Sequence, residues 1–195
     1  MLKTSILSTL LALSLLTQAC SKDNNNNSSE TKSVSSANSI MSHSSSEYLL
    51  TGLDNKQYVV TKTADGYTLK GAKGKVVIFD IFATWCPPCR ATAPHLSALK
   101  KKFKDDLVVI GVTIQDNLPN EKLQDFRKKY GANYILVNSD QNRRFVNSIA
   151  TSLNLGNNFP IPIMAIFKDG KLVQHYLGLV EEEFVQSDIK RALGK

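Results

Sequence analysis

Two cysteines three positions apart carry the strongest chemical signal in the sequence. Cys86 and Cys89 enclose Pro87 and Pro88 and directly follow Trp85. Two thiols at this spacing across the start of a helix can close a disulfide within the first turn, and the unpaired N–H groups at that helix end favour a thiolate. The pattern therefore predicts dithiol–disulfide chemistry, with an exposed Cys86 as the nucleophile and Cys89 as the resolving thiol.

A zinc site and a purely structural bridge are the alternative interpretations of this pair. Zinc would need further ligands, but Cys20 lies in a different kind of segment, and His43, His95 and His175 are isolated from one another in the sequence. A bridge that closes so short a loop adds little stability. We therefore expect redox chemistry that needs neither a metal nor a cofactor.

The strands and helices that must position the cysteines are indicated by hydrophobic periodicity. The near-continuous apolar run 76–82 predicts a strand covered on both faces, and apolar residues at helical spacing predict a helix over about 87–104. The other predicted strands are 48–53, 57–62, 67–70, 107–114, 134–137, 163–167 and 172–176. Further helices are predicted around 123–130 and 146–153, and a last one lined by Phe184, Val185, Ile189 and Leu193. This order predicts an α/β fold with a central mixed sheet flanked by helices, after a short N-terminal β lead-in.

The first 46 residues differ in composition from the remainder and predict two further segments. Residues 1–20 are an apolar stretch with one basic residue that ends in Ala19-Cys20, which predicts a secretory signal peptide. Its end resembles a bacterial lipobox, in which Cys20 is acylated; ordinary cleavage after Ala19 or an uncleaved anchor is the alternative. Residues 21–46 are rich in Ser and Asn and predict a flexible tether, which leaves 47–195 as the globular domain.

Charge and composition narrow the function only slightly. The chain has 24 Lys and Arg against 17 Asp and Glu, a net charge of +7, so it should prefer anionic surroundings. Basic residues are concentrated at 100–104 and 127–129, where the simplest interpretation is solvated helix faces and the alternative is a docking surface for an acidic partner. The apolar content of 42% excludes a disordered tail, a collagenous rod or a multi-span membrane protein.

Two blocks of the sequence resemble the thioredoxin superfamily. The segment VVIFDIFATWCPPCR, residues 76–90, is similar to its active-site segment, most of all to that of the membrane-tethered TlpA/ResA/CcmG-like thiol–disulfide oxidoreductases of bacterial envelopes. The segment IPIMAIFKDG, residues 161–170, resembles the part of the family that places a cis-proline, here Pro162, opposite the active cysteine. The resemblance implies a thioredoxin-like fold with an extra helix and strand between Cys89 and Pro162.

The same resemblance implies which residues contact the substrate. Trp85 and Pro162 match substrate-contacting positions, and the backbone of Ile161 would pair with an incoming peptide as a short antiparallel strand. Pro87 and Pro88 form the active-site loop between the cysteines.

The sequence departs from the TlpA/ResA group at two positions near the cysteines. Asp80 matches the buried acid of thioredoxin itself, where many TlpA-like proteins have a neutral residue. Such a carboxyl could simply pair with a lysine such as Lys75; the favoured interpretation is that it takes the proton of Cys89 through water. Thr92 stands where ResA-like reductases often have Glu. Arg90, like His95, is interpreted as a solvated helix-face residue.

The sequence thus predicts a membrane-tethered reductase of envelope protein disulfides, in the periplasm or on the outer side of the cytoplasmic membrane. Cys86 would attack a substrate disulfide and Cys89 would resolve the mixed disulfide. The resemblance implies envelope proteins with thiols or disulfides as partners, cytochrome c maturation among the candidate pathways, and a DsbD/CcdA-like membrane transducer as electron donor. No nucleic-acid partner is expected. A disulfide-forming oxidase and a non-catalytic chaperone or metal-handling module are the alternatives.

Overall fold

The computed structural model describes residues 46–195, which form a mixed α/β domain. The predicted signal peptide, the predicted acylation site Cys20 and the predicted tether up to residue 45 lie outside the described residues. Within 46–195, every helix is too short or too polar to cross a lipid bilayer.

The order of elements along residues 46–195 confirms the predicted alternation of strands and helices. The strands are β1 Glu47–Thr51, β2 Gln57–Lys62, β3 Tyr67–Leu69, β4 Val76–Phe82, β5 Leu107–Thr113, β6 Ile135–Val137, β7 Ile163–Lys168 and β8 Lys171–Leu177. The helices are α1 Pro87–Phe103, α2 Asn120–Tyr130, α3 Asn142–Ser152 and α4 Glu182–Leu193, with a short 3-10 turn, Lys104–Asp106, after α1.

A five-stranded mixed sheet forms the centre of the domain, in the order β6-β5-β4-β7-β8. β4 pairs in parallel with β5 and antiparallel with β7, and all its residues are buried, as its apolar run predicts. β1, β2 and β3 form a separate antiparallel sheet, which is the predicted β lead-in. The predicted thioredoxin-like fold class is therefore confirmed, including the additional helix and strand between α1 and β7.

The two faces of β4 belong to two hydrophobic clusters. Val76, Ile78 and Phe82 pack with residues of α1, α2 and α4; Cys89 of α1 and Cys86, just before it, belong to this cluster. Val77, Phe79 and Ile81 pack with α3 and the three-stranded sheet. Because side chains alternate along a strand, Asp80 points to the same side as Ile78 and Phe82, which is the side of α1. The sheet therefore places the acid and the two cysteines on one side.

One prediction for α4 is wrong. Phe184 was expected to line the helix together with Val185, but it is 62% exposed whereas Val185 and Ile189 are buried. Consecutive residues of an α-helix point about 100° apart, so the face that buries Val185 and Ile189 turns Phe184 towards solvent. The buried stripe also contains a polar residue, Asp188, which accepts a hydrogen bond from the hydroxyl of Tyr176 on β8.

Candidate active site

The cysteine pair lies where β4 ends and α1 begins. Cys86 is the N-cap of α1 and is joined to Cys89 by a disulfide, with 5.3 Å between their Cα atoms. Pro87 and Pro88 fit the first two helical positions because backbone N–H groups there have no partner within the helix. The N–H of Cys89 donates to Sγ of Cys86 at 3.3 Å. The spacing of the cysteines thus gives the bridge that it predicts.

The expectation that Cys86 is exposed is wrong. Cys86 is only 2% exposed and Cys89 1%, and both belong to the core cluster beneath α1. The physical reason is the facing loop, since Sγ of Cys86 lies 3.8 Å from the carbonyl oxygen of Ile161. The exposed side chain at this edge is that of Trp85, at 58%.

The loop that covers the disulfide contains the proline singled out from the sequence. The Ile161–Pro162 peptide bond is cis. Pro162 directly precedes β7, whose first residue, Ile163, is paired with Ile81 of β4. The carbonyl of Pro162 accepts a hydrogen bond from the N–H of Gly178 at 2.8 Å. The structure therefore brings the backbone of Ile161, which directly precedes Pro162, against Cys86, although it lies 75 residues later in the chain.

Asp80 is buried on the side of the central sheet that α1 covers, and it has one hydrogen-bond partner among the described residues. It is 1% exposed, and the hydroxyl of Tyr134 donates to its Oδ2 at 3.1 Å. Its Oδ1 has no partner among the described residues. Burial raises the pKa of Asp80 to about 7, against the hydrogen bond from Tyr134, which lowers it. The partner is therefore Tyr134 and not Lys75, and a carboxyl with this pKa can exchange a proton near neutral pH.

Three other residues of α1 singled out from the sequence lie near the cysteines in the chain, and one of them, Arg90, differs from its expectation. Arg90 is half-buried, and its Nε donates to the carbonyl of Thr84 at 2.9 Å, so the interpretation of Arg90 as a solvated residue is wrong. Thr92 is buried, and its hydroxyl donates to the carbonyl of Pro88 at 3.0 Å within the helix. His95 is partly exposed, but its Nδ1 is buried and lies 3.9 Å from a carboxylate oxygen of Glu182.

Sequence reasoning missed two residues that contact the site from other elements. Tyr134, just before β6, supplies the hydrogen bond to Asp80, and Gln115, just after β5, accepts hydrogen bonds from Thr84. Neither stands in a recognisable motif; their signal is the pairing of β5 with β4 and with β6, which only the assembled sheet reveals. Across residues 46–195, no three side chains of His, Cys, Asp or Glu gather as a metal-binding group.

Comparisons with known proteins agree with this geometry. The Redoxin family model matches residues 54–193. Thiol-disulfide oxidoreductase ResA of Bacillus subtilis (strain 168) is 27% identical over 141 residues, which are 71% of this chain and 74% of that protein. Thioredoxin-like protein YneN of the same strain is 37% identical over 62 residues, which are 32% of this chain and only 36% of that protein.

A solved structure shows the same fold. The crystal structure of a thiol:disulfide interchange protein of the thioredoxin family from Chlorobium tepidum TLS superposes with a TM-score of 0.57, at 21% sequence identity. The match covers 76% of this chain and 94% of that one.

Proposed function

Because the chain belongs to the Redoxin family and is a thiol–disulfide oxidoreductase of the thioredoxin superfamily, we propose that it acts as a reductase of protein disulfides in the bacterial envelope. The observation that carries the proposal is the placement of the Cys86–Cys89 pair against the backbone of Ile161 beside Pro162. A substrate strand that pairs with this backbone would bring its own disulfide to Cys86.

The proposed reaction begins with both cysteines reduced. The Cys86 thiolate attacks one sulfur of the substrate disulfide, that bond breaks, and the departing substrate thiolate takes a proton. Cys89 then loses its proton and attacks Sγ of Cys86, which breaks the mixed disulfide and releases the second substrate thiolate. The substrate gains two electrons in all, and the protein ends as the Cys86–Cys89 disulfide.

Asp80 is proposed as the acceptor of the Cys89 proton through water. It lies on β4 on the side that α1 covers, and the free Oδ1 leaves one oxygen available for a water. Its pKa of about 7 means that it is ionised, and able to accept a proton, above neutral pH.

The direction of the proposed reaction follows from the number of donors that reach Cys86. Pro87 and Pro88 have no N–H group, so of the first three helical residues only Cys89 offers its N–H to Sγ. Fewer donors stabilise the Cys86 thiolate less. A less stabilised thiolate makes the dithiol less favoured, so the disulfide is harder to reduce and the couple is a better reductant.

The location and the partners are also part of the proposal. The apolar run that ends at Cys20 and the Ser/Asn-rich residues 21–46 support a lipid anchor and a tether that keep the domain close to a membrane. Envelope proteins with exposed disulfides are then the substrates, cytochrome c maturation is one pathway in which such a reductase would work, and a DsbD/CcdA-like transducer supplies electrons.

The reduction potential of the Cys86/Cys89 couple tests the proposal. We expect equilibration against glutathione to give a value near that of thioredoxin, about −270 mV, and not near that of DsbA, about −120 mV. Pro88→Ala restores one N–H beside Cys86 and should make the potential less negative, whereas the matched control Pro119→Ala at the start of α2 should not change it. A wild-type potential near the DsbA value would identify a disulfide-forming oxidase.

A further inference from the structure

A tight turn connects β4 to α1 and carries the reactive cysteine at its end. The N–H of Cys86 donates to the carbonyl of Ala83 at 3.2 Å, with Thr84 and Trp85 at the centre of the turn. The orientation of this turn therefore sets the direction in which Sγ of Cys86 meets an incoming sulfur.

Thr84 is held at each of its hydrogen-bonding groups. Oε1 of Gln115 accepts from the N–H of Thr84 at 2.7 Å and from its hydroxyl at 2.9 Å. On the other side, Nε of Arg90 donates to the carbonyl of Thr84 at 2.9 Å. The guanidinium of Arg90 in turn lies 5.1 Å from the ring centre of Tyr130.

Gln115 is itself fixed by the sheet. Phe82 of β4 is in register with Thr113 of β5, and the N–H of Ile114 continues the pairing by donating to the carbonyl of Phe82 at 3.0 Å. Two residues beyond this pair, the same register places Gln115 beside Thr84. The N–H of Gln115 donates to the hydroxyl of Thr113 at 3.2 Å. The side chain of Gln115 therefore starts from an ordered backbone.

Helix α3 also helps to fix the end of β5, from which Gln115 extends. Nδ2 of the buried Asn142 donates to the carbonyl of Thr113 and to that of Val137, at 3.2 Å each, and so ties the ends of β5 and β6 together. A continuous series of hydrogen bonds thus runs from α3 through Thr113 and Gln115 to the turn before Cys86.

We propose that Gln115 is a positioning residue for the thiol–disulfide reaction, which holds Thr84 so that Trp85 and Cys86 face the substrate disulfide. The inference rests on the proposed function for its kinetic consequence. One acceptor oxygen with two lone pairs serves both donors of Thr84. A side chain of similar length without an oxygen cannot replace it, whereas a carboxylate can.

The test compares Gln115→Met, which removes the acceptor, with Gln115→Glu, which keeps it. Trp85 is the only tryptophan in the chain and is adjacent to Thr84, so its fluorescence reports the turn directly. We expect Gln115→Met to change the Trp85 emission of the oxidised and reduced forms and to slow reduction of a disulfide-bonded peptide by about tenfold or more. Gln115→Glu should keep the wild-type emission. Its reaction rate is not compared, because the added negative charge would also change the reactivity of the Cys86 thiol.

Two further variants separate positioning from general damage to the fold. Gln124→Met makes the same replacement on the exposed face of α2 and should match the wild type in emission and rate. Thr84→Val removes only the hydroxyl donor and leaves the hydrogen bond from the N–H of Thr84 to Gln115. It should therefore shift emission and rate in the direction expected for Gln115→Met, but by less. This variant keeps the test available if Gln115→Met does not fold.

Wild-type emission and rate in both Gln115→Met and Thr84→Val would overturn the proposal. An equal change of emission in Gln115→Glu and Gln115→Met would overturn it as well, because the acceptor oxygen would then not matter. If the wild-type protein reduces no peptide disulfide, the proposed function fails, while Trp85 emission and the alkylation rate of Cys86 still decide whether Gln115 positions the turn.

Discussion

Replacing Asp80 by Asn should make the oxidised protein more stable above neutral pH, because the substitution removes a buried carboxyl that is costly to ionise. Burial raises the pKa of Asp80 from its ordinary 3.8 to about 7 in the folded protein. Between these two values the folded protein keeps a proton that the unfolded chain has released. The stability contributed by this group is therefore complete below pH 3.8 and is lost as the pH rises through about 7.

The size of the effect follows from the same two values. At about 1.4 kcal/mol per pH unit, the interval between them corresponds to about 4 kcal/mol of unfolding free energy. Roughly 1.5 kcal/mol of this is already lost by about pH 5. The difference in unfolding free energy between Asp80→Asn and the wild type should therefore grow by about 2.5 kcal/mol between about pH 5 and about pH 8.

Urea unfolding of the oxidised protein at several pH values measures this difference, since disulfide-bonded Cys86 and Cys89 do not titrate. Asp125→Asn on the exposed face of α2 is the control for loss of a charge and should run parallel to the wild type. Tyr134→Phe removes the hydrogen bond that lowers the pKa of Asp80, so the loss of stability should extend to higher pH. A constant difference between Asp80→Asn and the wild type across this range would refute the reasoning.

Three further predictions concern the cysteines. Cys89→Ser should accumulate mixed disulfides on Cys86, visible on non-reducing gels, because the resolving thiol is gone. If neither single cysteine variant captures a partner and both still reduce disulfides, the mechanism is wrong. Thiolate absorbance should give a Cys86 pKa near that of thioredoxin, about 7, and a value near that of DsbA, about 3.5, would contradict the donor argument. Cys20→Ala should abolish acyl-dependent membrane association and leave thiol chemistry in vitro unchanged; a mature protein that starts elsewhere and carries no acyl group would disprove the anchor.

Local patterns in the sequence were sufficient for the elements that carry the cysteines. The run 76–82 is apolar at every position except Asp80 and predicts a central strand, because a strand covered on both faces carries such a run. The pair Cys86 and Cys89 with two prolines between them predicts a helix start, since those positions need no N–H. These inferences depend on neighbours in sequence, which is why they succeed without knowledge of the tertiary structure.

The wrong expectation for Cys86 and the two missed residues, Tyr134 and Gln115, depend on contacts that join distant parts of the chain. Asp80 and Tyr134 are 54 residues apart, and Thr84 and Gln115 are 31 apart, so no local pattern links the members of either pair. The exposure of Cys86 depends likewise on Ile161, a residue 75 positions away. All three contacts depend on which residues of neighbouring strands are paired, and this pairing register cannot be derived from a single sequence.

Strand β4 brings these distant contacts together. Its parallel pairing with β5 places Gln115 beside the turn before Cys86. Its antiparallel pairing with β7, in which Ile81 lies opposite Ile163, places Ile161 near the C-terminal end of β4, which Cys86 follows. A slip of one residue between β4 and β7 would displace Ile161 along the strand by about 3.3 Å and turn every side chain of β7 to the opposite face of the sheet. Because Sγ of Cys86 lies only 3.8 Å from the carbonyl of Ile161, such a slip would separate the peptide-pairing backbone from the reactive sulfur. The buried apolar side chains on both faces of β4 and β7 oppose that slip, so the same packing that stabilises the sheet also maintains the geometry of the thiol site.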